Sequence, residues 1–241
     1  MKDNIKLWND ITFKTVCYQK NHDFINDNDN IITECDGEIL KLRIEEKNKP
    51  ELIGEYNFSI WNIKLCKDLN ISINELINFY DFEDSYGELK KELNNKSISL
   101  NNYERFIIIH SLILKEEYRK KDVTKEFMEM IYRNYYSNNT LILGLVKPIQ
   151  YNKIDHFFYL NHKTIYINKN KSNEIKFNAF KYYNLSKFDN NLDFEKNIYK
   201  LFSLAKKTDF ERINDSFLFK FTPLNILKRI NEKKKNKTIS E

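Results

Sequence analysis

The chain has 241 residues, of which 41% are hydrophobic and 15% aromatic, so it holds ample material for a packed core and is not a disordered segment. Its net charge of +5, from 40 basic and 35 acidic residues, is mild for this length and argues against a dedicated nucleic-acid-binding protein. No apolar run approaches the roughly 20 residues that a membrane-spanning helix needs, so no membrane partner is expected.

Three cysteines, Cys17, Cys35 and Cys66, are too widely spaced for a zinc knuckle and odd in number, which predicts reduced thiols. The N-terminal stretch "MKDNIKLWNDITF" carries charges where a secretory signal has its apolar segment. Together these predict a soluble cytoplasmic protein. With only 4 Gly and 3 Pro, turns must rest on Asn, Asp and Ser. There is no internal repeat and no Gly/Ser-rich or Pro-rich linker.

Ile5 to Tyr18 has apolar residues of mixed period and reads as strand or helix. "EILKLRIEE" alternates Ile39, Leu40, Leu42 and Ile44 with polar residues, as a half-buried strand does, and "ELIGEYNFSIW" reads as its antiparallel neighbour. In "SINELINFYDF", Ser72 and Glu75 form a capping-box pair, with Ile73, Leu76, Ile77 and Tyr80 on one helical face. "SYGELKKELNN" predicts a second helix. "RFIIIHSLIL" is the most apolar, β-branched run and predicts a central strand. A basic cluster follows it, then Phe127, Met130 or Ile131, and Tyr135 at helical spacing, then the short buried strand "TLILGLV". Strand, basic turn, helix, strand is a βαβ unit. Beyond Pro148, "KTIYIN" and "EIKFNAFKYY" alternate like a hairpin. "DFEKNIYKLFSLAKK" is helical, with Phe194, Ile198, Leu201 and Phe202 on one face. "TPLNILKRI" offers Thr222 as a cap and Pro223 at the first helical position. The closing "KRINEKKKNKTISE" holds six Lys or Arg against two Glu.

The basic cluster carries the functional argument. Arg119, Lys120 and Lys121 stand directly before a helix start near Val123 or Thr124. A helix start exposes free amides and partial positive charge, so this is a ready anion site.

The same stretch resembles the acyl-CoA site of the GNAT superfamily of N-acyltransferases. In that family a central strand with a hydrophobic-x-hydrophobic pair leads through an acidic or Pro-containing bend. An Arg or Gln follows, then two residues, Gly, one residue, and Gly or Ala at a helix start. Here Leu112 and Leu114 match the strand pair, Glu116 the bend, and Tyr118-Arg119 the aromatic-basic pair. Asn152 followed seven residues later by Tyr159 matches a second family spacing. The motifs span about Arg105 to Tyr159. Two positions depart from the pattern: Asp122 stands where the family has Gly, and Thr124 where it has Gly or Ala. As an N-cap, Asp122 would compete for the amides that a phosphate uses. At about 5 Å its carboxylate would oppose that phosphate by about 3 kcal/mol at an effective dielectric of 20.

The resemblance implies an α/β (α+β) fold. Residues 1–190 would hold a mixed, mostly antiparallel central sheet flanked by helices, and 191–241 a helical C-terminal extension with a basic tail. It implies acetyl-CoA as acyl donor, bound by Leu112, Leu114, Arg119, Lys120, Lys121, Asp122, Val123, Thr124, Lys125 and Asn152. The acceptor would be an amine on a small molecule or a protein. Tyr159 would protonate the departing thiolate, and His110 or Glu104 on the central strand would take the amine proton. His156 and His162 flank Tyr159 without a metal-binding spacing, so no metal is expected. Two other readings compete. One is an inactive GNAT-like scaffold with a binding or structural role, of the kind a virus or mobile element carries. The other is a nucleic-acid-binding accessory protein using the basic turn and tail.

Overall fold

The computed structural model describes residues 11–19, 31–42, 50–79, 84–119, 122–146, 159–160, 163–164, 191–223 and 226–227. Strands β1 (Ile11–Gln19), β2 (Ile32–Lys41) and β3 (Glu51–Asn62) form an antiparallel meander. Helices α1 (Ile63–Asp68), α2 (Ile73–Phe79) and α3 (Asp84–Asn94) lead to β4 (Arg105–Leu114), and α4 (Val123–Tyr135) connects β4 to β5 (Thr140–Leu145). Two short strands, β6 (Tyr159–Leu160) and β7 (Lys163–Thr164), pair only with each other. Helix α5 (Asn191–Lys207) precedes β8 (Phe210–Arg212) and β9 (Leu218–Phe221). The main sheet has the order β1-β2-β3-β4-β5-β9-β8, and within it only β4 and β5 run parallel. The expected mixed, mostly antiparallel sheet with flanking helices is therefore the fold.

The sheet separates two cores because successive strand residues face opposite sides. On the first face, Tyr56, Phe58, Ile107 and Ile109 pack against Phe127 and Ile131 of α4. On the second, Trp61, Phe106, Ile108 and Leu143 pack with Ile77 of α2 and Leu89 of α3. Trp61, Phe106 and Phe127 are fully buried, each worth about 2–3 kcal/mol of apolar burial. Asn62 caps α1 by accepting the Leu65 amide at 3.0 Å. Of the predicted capping box at α2, the Ser72 hydroxyl accepts the Glu75 amide at 3.4 Å.

Several expectations need correction. The second strand runs from Ile32 to Lys41, earlier than the "EILKLRIEE" alternation placed it, and Leu42 is exposed. The strand was hidden because its second-face residues, Glu34, Asp36 and Glu38, are buried carboxylates rather than apolar side chains. Gly37 is required within it, because a Cβ there would lie 2.0 Å from the Tyr56 ring. That ring crosses Gly37 to bring its hydroxyl within 2.6 Å of Thr15 Oγ1.

The thiols are not all reduced. Cys17 and Cys35 form a disulfide and Cys66 is free and buried. The two partners stand directly opposite each other in the β1–β2 register, a pairing that 18 residues of sequence separation conceal. The argument for an intracellular compartment that rested on free thiols falls with it. Among the described residues no helix is long and apolar enough to cross a membrane.

The segment from 191 is not purely helical: β9 pairs antiparallel with β5, and β8 closes that edge of the sheet. Of the hairpin expected beyond Pro148, Lys163–Thr164 pairs with Tyr159–Leu160. "EIKFNAFKYY" lies outside the described residues. At the Thr222-Pro223 start, the Leu227 amide donates to the Pro223 carbonyl at 3.1 Å.

Candidate functional site

The central strand is not the same along its length. β4 pairs with β5 from Arg105, opposite Thr140, to Ile109, opposite Gly144. Past that point β5 ends at Leu145, and His110 to Leu114 have no β5 partner among the described residues. On its other edge β4 stays with β3 as far as Leu114, opposite Gly54. The pairing steps from Phe58–Ile109 to Asn57–Ser111, so His110 is an extra residue, a β-bulge next to the last β4–β5 pair. The bulge also switches parity. Ile107 and Ile109 face α4 before it, and Leu112 and Leu114 face the same core after it. Matched Leu112 and Leu114 thus line the first face of the forked half.

The turn after the fork is tied down at several points. The Lys115 amide donates to the Ile53 carbonyl at 2.9 Å, and its ammonium meets Glu51 at 3.0 Å. A single 3-10 turn, Glu116–Tyr118, buries Tyr118, whose hydroxyl reaches Glu51 at 3.4 Å. Arg119, expected as a phosphate ligand, commits its Nε to the Leu114 carbonyl at 3.0 Å, across the turn. Burial lowers its pKa from the usual value, with Glu116 and Glu117 opposing the shift, and the guanidinium remains a cation at neutral pH. Arg119 is therefore a half-buried staple of the turn as well as a charge beside it. Lys120 and Lys121 lie outside the described residues.

Asp122 differs most from its expected role. It adopts φ 39° and ψ 7°, the left-handed region that Gly enters freely and Asp tolerates better than most residues. In that conformation its side chain makes no cap to α4. It turns out to Lys125, with Oδ1 2.9 Å from the ammonium. The Asp122 carbonyl takes the amides of Lys125 at 2.7 Å and Glu126 at 3.2 Å. The amides of Val123 and Thr124, also expected as ligands, have no acceptor among the described residues, whereas that of Lys125 is already used. Asp122 thus holds a conformation that Gly enters freely and adds a carboxylate there.

The two candidate bases separate. Glu104 is exposed just before β4, its carbonyl accepting the Lys64 amide at 3.0 Å. It lies six residues, about 20 Å of strand, from His110, so it does not join the fork. His110 sits on the fork, with Nε2 2.9 Å from Ser59 Oγ. The indole Nε1 of Trp61 donates to the same oxygen at 3.1 Å. Tyr159 lies on β6, opposite Thr164, and Asn152 lies outside the described residues.

One row of side chains went unread in the sequence. On the second face beside His110, β2 presents Glu34, Asp36 and Glu38, and β3 presents Glu55, Asn57 and Ser59. Asn57 donates to Asp36, and Lys14 of β1 reaches Glu38 at 3.8 Å. The signal was there: acids at every second position of "TECDGEI" share one face of a strand.

No family model, no curated protein and no solved structure matches this chain.

Proposed function

We propose that this chain is an acyl-CoA-dependent N-acyltransferase of the GNAT type, moving an acetyl group from acetyl-CoA to an amine of a small molecule or protein. The observation that carries the reading is the fork. The parallel pairing of β4 and β5 ends at Ile109 and Gly144, and β4 leads through a left-handed Asp122 into a helix start where two amides have no acceptor among the described residues. In this reading the parted strands take the pantetheine arm. The Val123 and Thr124 amides, with the cations of the turn, take the diphosphate. His110 removes a proton from the attacking amine, a C–N bond forms as the C–S bond breaks, and Tyr159 protonates the departing thiolate.

The inactive-scaffold reading draws its support from the exposed Asp122 carboxylate beside the proposed diphosphate position. Titration calorimetry with acetyl-CoA decides between them. Micromolar binding is expected, weakened strongly by Arg119→Glu. No heat with acetyl-CoA or CoA, confirmed by unchanged intrinsic fluorescence, would replace the enzyme with the scaffold.

A further inference from the structure

We infer that Ser59 is a positioning residue for His110, holding its imidazole at the fork through a hydrogen bond to Nε2. The inference rests on the acyltransferase reading for its catalytic meaning and on geometry for the rest. His110 is the extra residue of the bulge, so no opposed residue on β3 fixes it by register. Its ring Nε2 lies 2.9 Å from Ser59 Oγ, a contact that orients the imidazole.

That oxygen is itself fixed. Ser59 and Trp61 are both fully buried, and the Trp61 indole donates to Ser59 Oγ at 3.1 Å. A hydroxyl has one proton and two lone pairs. Ser59 Oγ can accept from the indole and from Nε2–H together, which leaves Nδ1 as the ring nitrogen that takes the amine proton. The Nε2–H bond is then present in the neutral ring and in the imidazolium alike, which suits a base that must gain and release a proton without moving. Among the described residues of the neighbouring strands, the charged groups on this face are Glu34, Asp36 and Glu38 of β2, Glu55 of β3 and Lys14 of β1, with Glu34 directly opposite Ser59, and α3 adds the buried Glu92 to the same face.

The test is Ser59→Ala, read in two independent ways. Acetyl-CoA affinity and KM for the amine should stay within about twofold, while kcat falls at least tenfold. The acidic limb of the kcat profile and the NMR titration of the His110 ring should both move to lower pH, because the imidazolium loses the stronger, charge-assisted bond. Ser59→Cys keeps the volume and offers only a weak acceptor, so it should fall between the wild type and Ser59→Ala in both readouts. It also serves if the alanine variant does not fold. Retained turnover with an unmoved His110 titration in both variants would overturn the positioning role. Absent acetyl-CoA binding and turnover in the wild type would instead sink the acyltransferase reading, and the catalytic meaning of Ser59 with it. The NMR titration would then judge the contact alone.

Discussion

The two halves of β4 are held differently. Arg105–Ile109 is held on both edges, by β3 and by β5, and fills both cores. His110–Leu114 is held on the β3 edge and has no β5 partner among the described residues, with a bulge at the boundary. A strand bonded on both sides has its backbone groups satisfied, and its side chains decide stability. A strand released on one side offers backbone donors and acceptors to a ligand, as a sheet edge does. The comparison teaches that in this chain the apolar run marks the core, while the bulge within it marks where the pairing with β5 stops.

Equal truncations on either side of the bulge should break the symmetry most. Ile107→Ala, in the doubly paired half and fully buried, is expected to cost about 3 kcal/mol in urea unfolding. Leu112→Ala, half-buried in the forked half, is expected to cost about 1 kcal/mol and to weaken acetyl-CoA more than Ile107→Ala does. Similar losses at both positions, with no difference in binding, would mean that the fork is only a stretch of core.

Deleting His110 sharpens the contrast. Asn57 and Ser111 remain opposite each other without it, so Leu112 and Leu114 keep their face and the fold should survive with a near-native unfolding midpoint. The strand straightens, and acetyl-CoA affinity should fall by about 100-fold, roughly 2.7 kcal/mol. His110→Ala, which keeps the bulge, should bind acetyl-CoA normally and turn over slowly. A deletion variant with full affinity would show that the bulge plays no part in the site.

Tyr159→Phe removes a proton and keeps the ring, so kcat should drop on the order of 100-fold with affinity and thermal stability unchanged. Full activity would reassign the acid. At Asp122, Gly relieves a left-handed non-glycine residue and gives up an exposed ion pair. Asp122→Gly should therefore raise stability by about 1 kcal/mol. It should also tighten acetyl-CoA by removing a carboxylate from the diphosphate position, while Asp122→Ala should lose stability. A Gly variant with unchanged affinity would show that the carboxylate does not oppose the ligand.

The smallest expected effect concerns the support of the forked half. Burial pushes Tyr56, opposite Leu112, up to about 12 from 10.0, with the Thr15 bond opposing the shift. A folded-state pKa above the unfolded one means that this tyrosine stabilises the fold below pH 10 and loses that contribution as pH rises towards 12. Stability should fall through that window in the wild type and fall less in Tyr56→Phe. Parallel alkaline curves for the two proteins would remove Tyr56 as the cause.

The parts of the molecule that were legible in sequence follow physical rules. Arg105–Leu114 and the helix from Val123 were readable because a β-branched run and a 3.6-residue period are strong signals. The bulge was not, because nothing in "IIIHSLIL" marks the residue that the β3 register skips. Asp122 misled because Asp favours both an N-cap and a left-handed turn, and only the backbone decides between them. Cys17 and Cys35 meet through strand register, and the buried acids of β2 break the apolar alternation by which strands are recognised. The strands Phe210–Arg212 and Leu218–Phe221 are too short to carry a period of their own. Of the candidate site, the turn and His110 were singled out in sequence. Ser59 and Trp61 were not, since Ser59 reaches His110 across the sheet from 51 positions away and Trp61 bonds to Ser59.

Amide hydrogen exchange with and without acetyl-CoA tests the fork most directly. The expected result is slowed exchange at Ser111–Leu114 and at Val123 and Thr124 on adding acetyl-CoA, with Arg105–Ile109 unchanged because β5 already protects it. Protection spread evenly along β4, or none at all with acetyl-CoA in saturating excess, would contradict it.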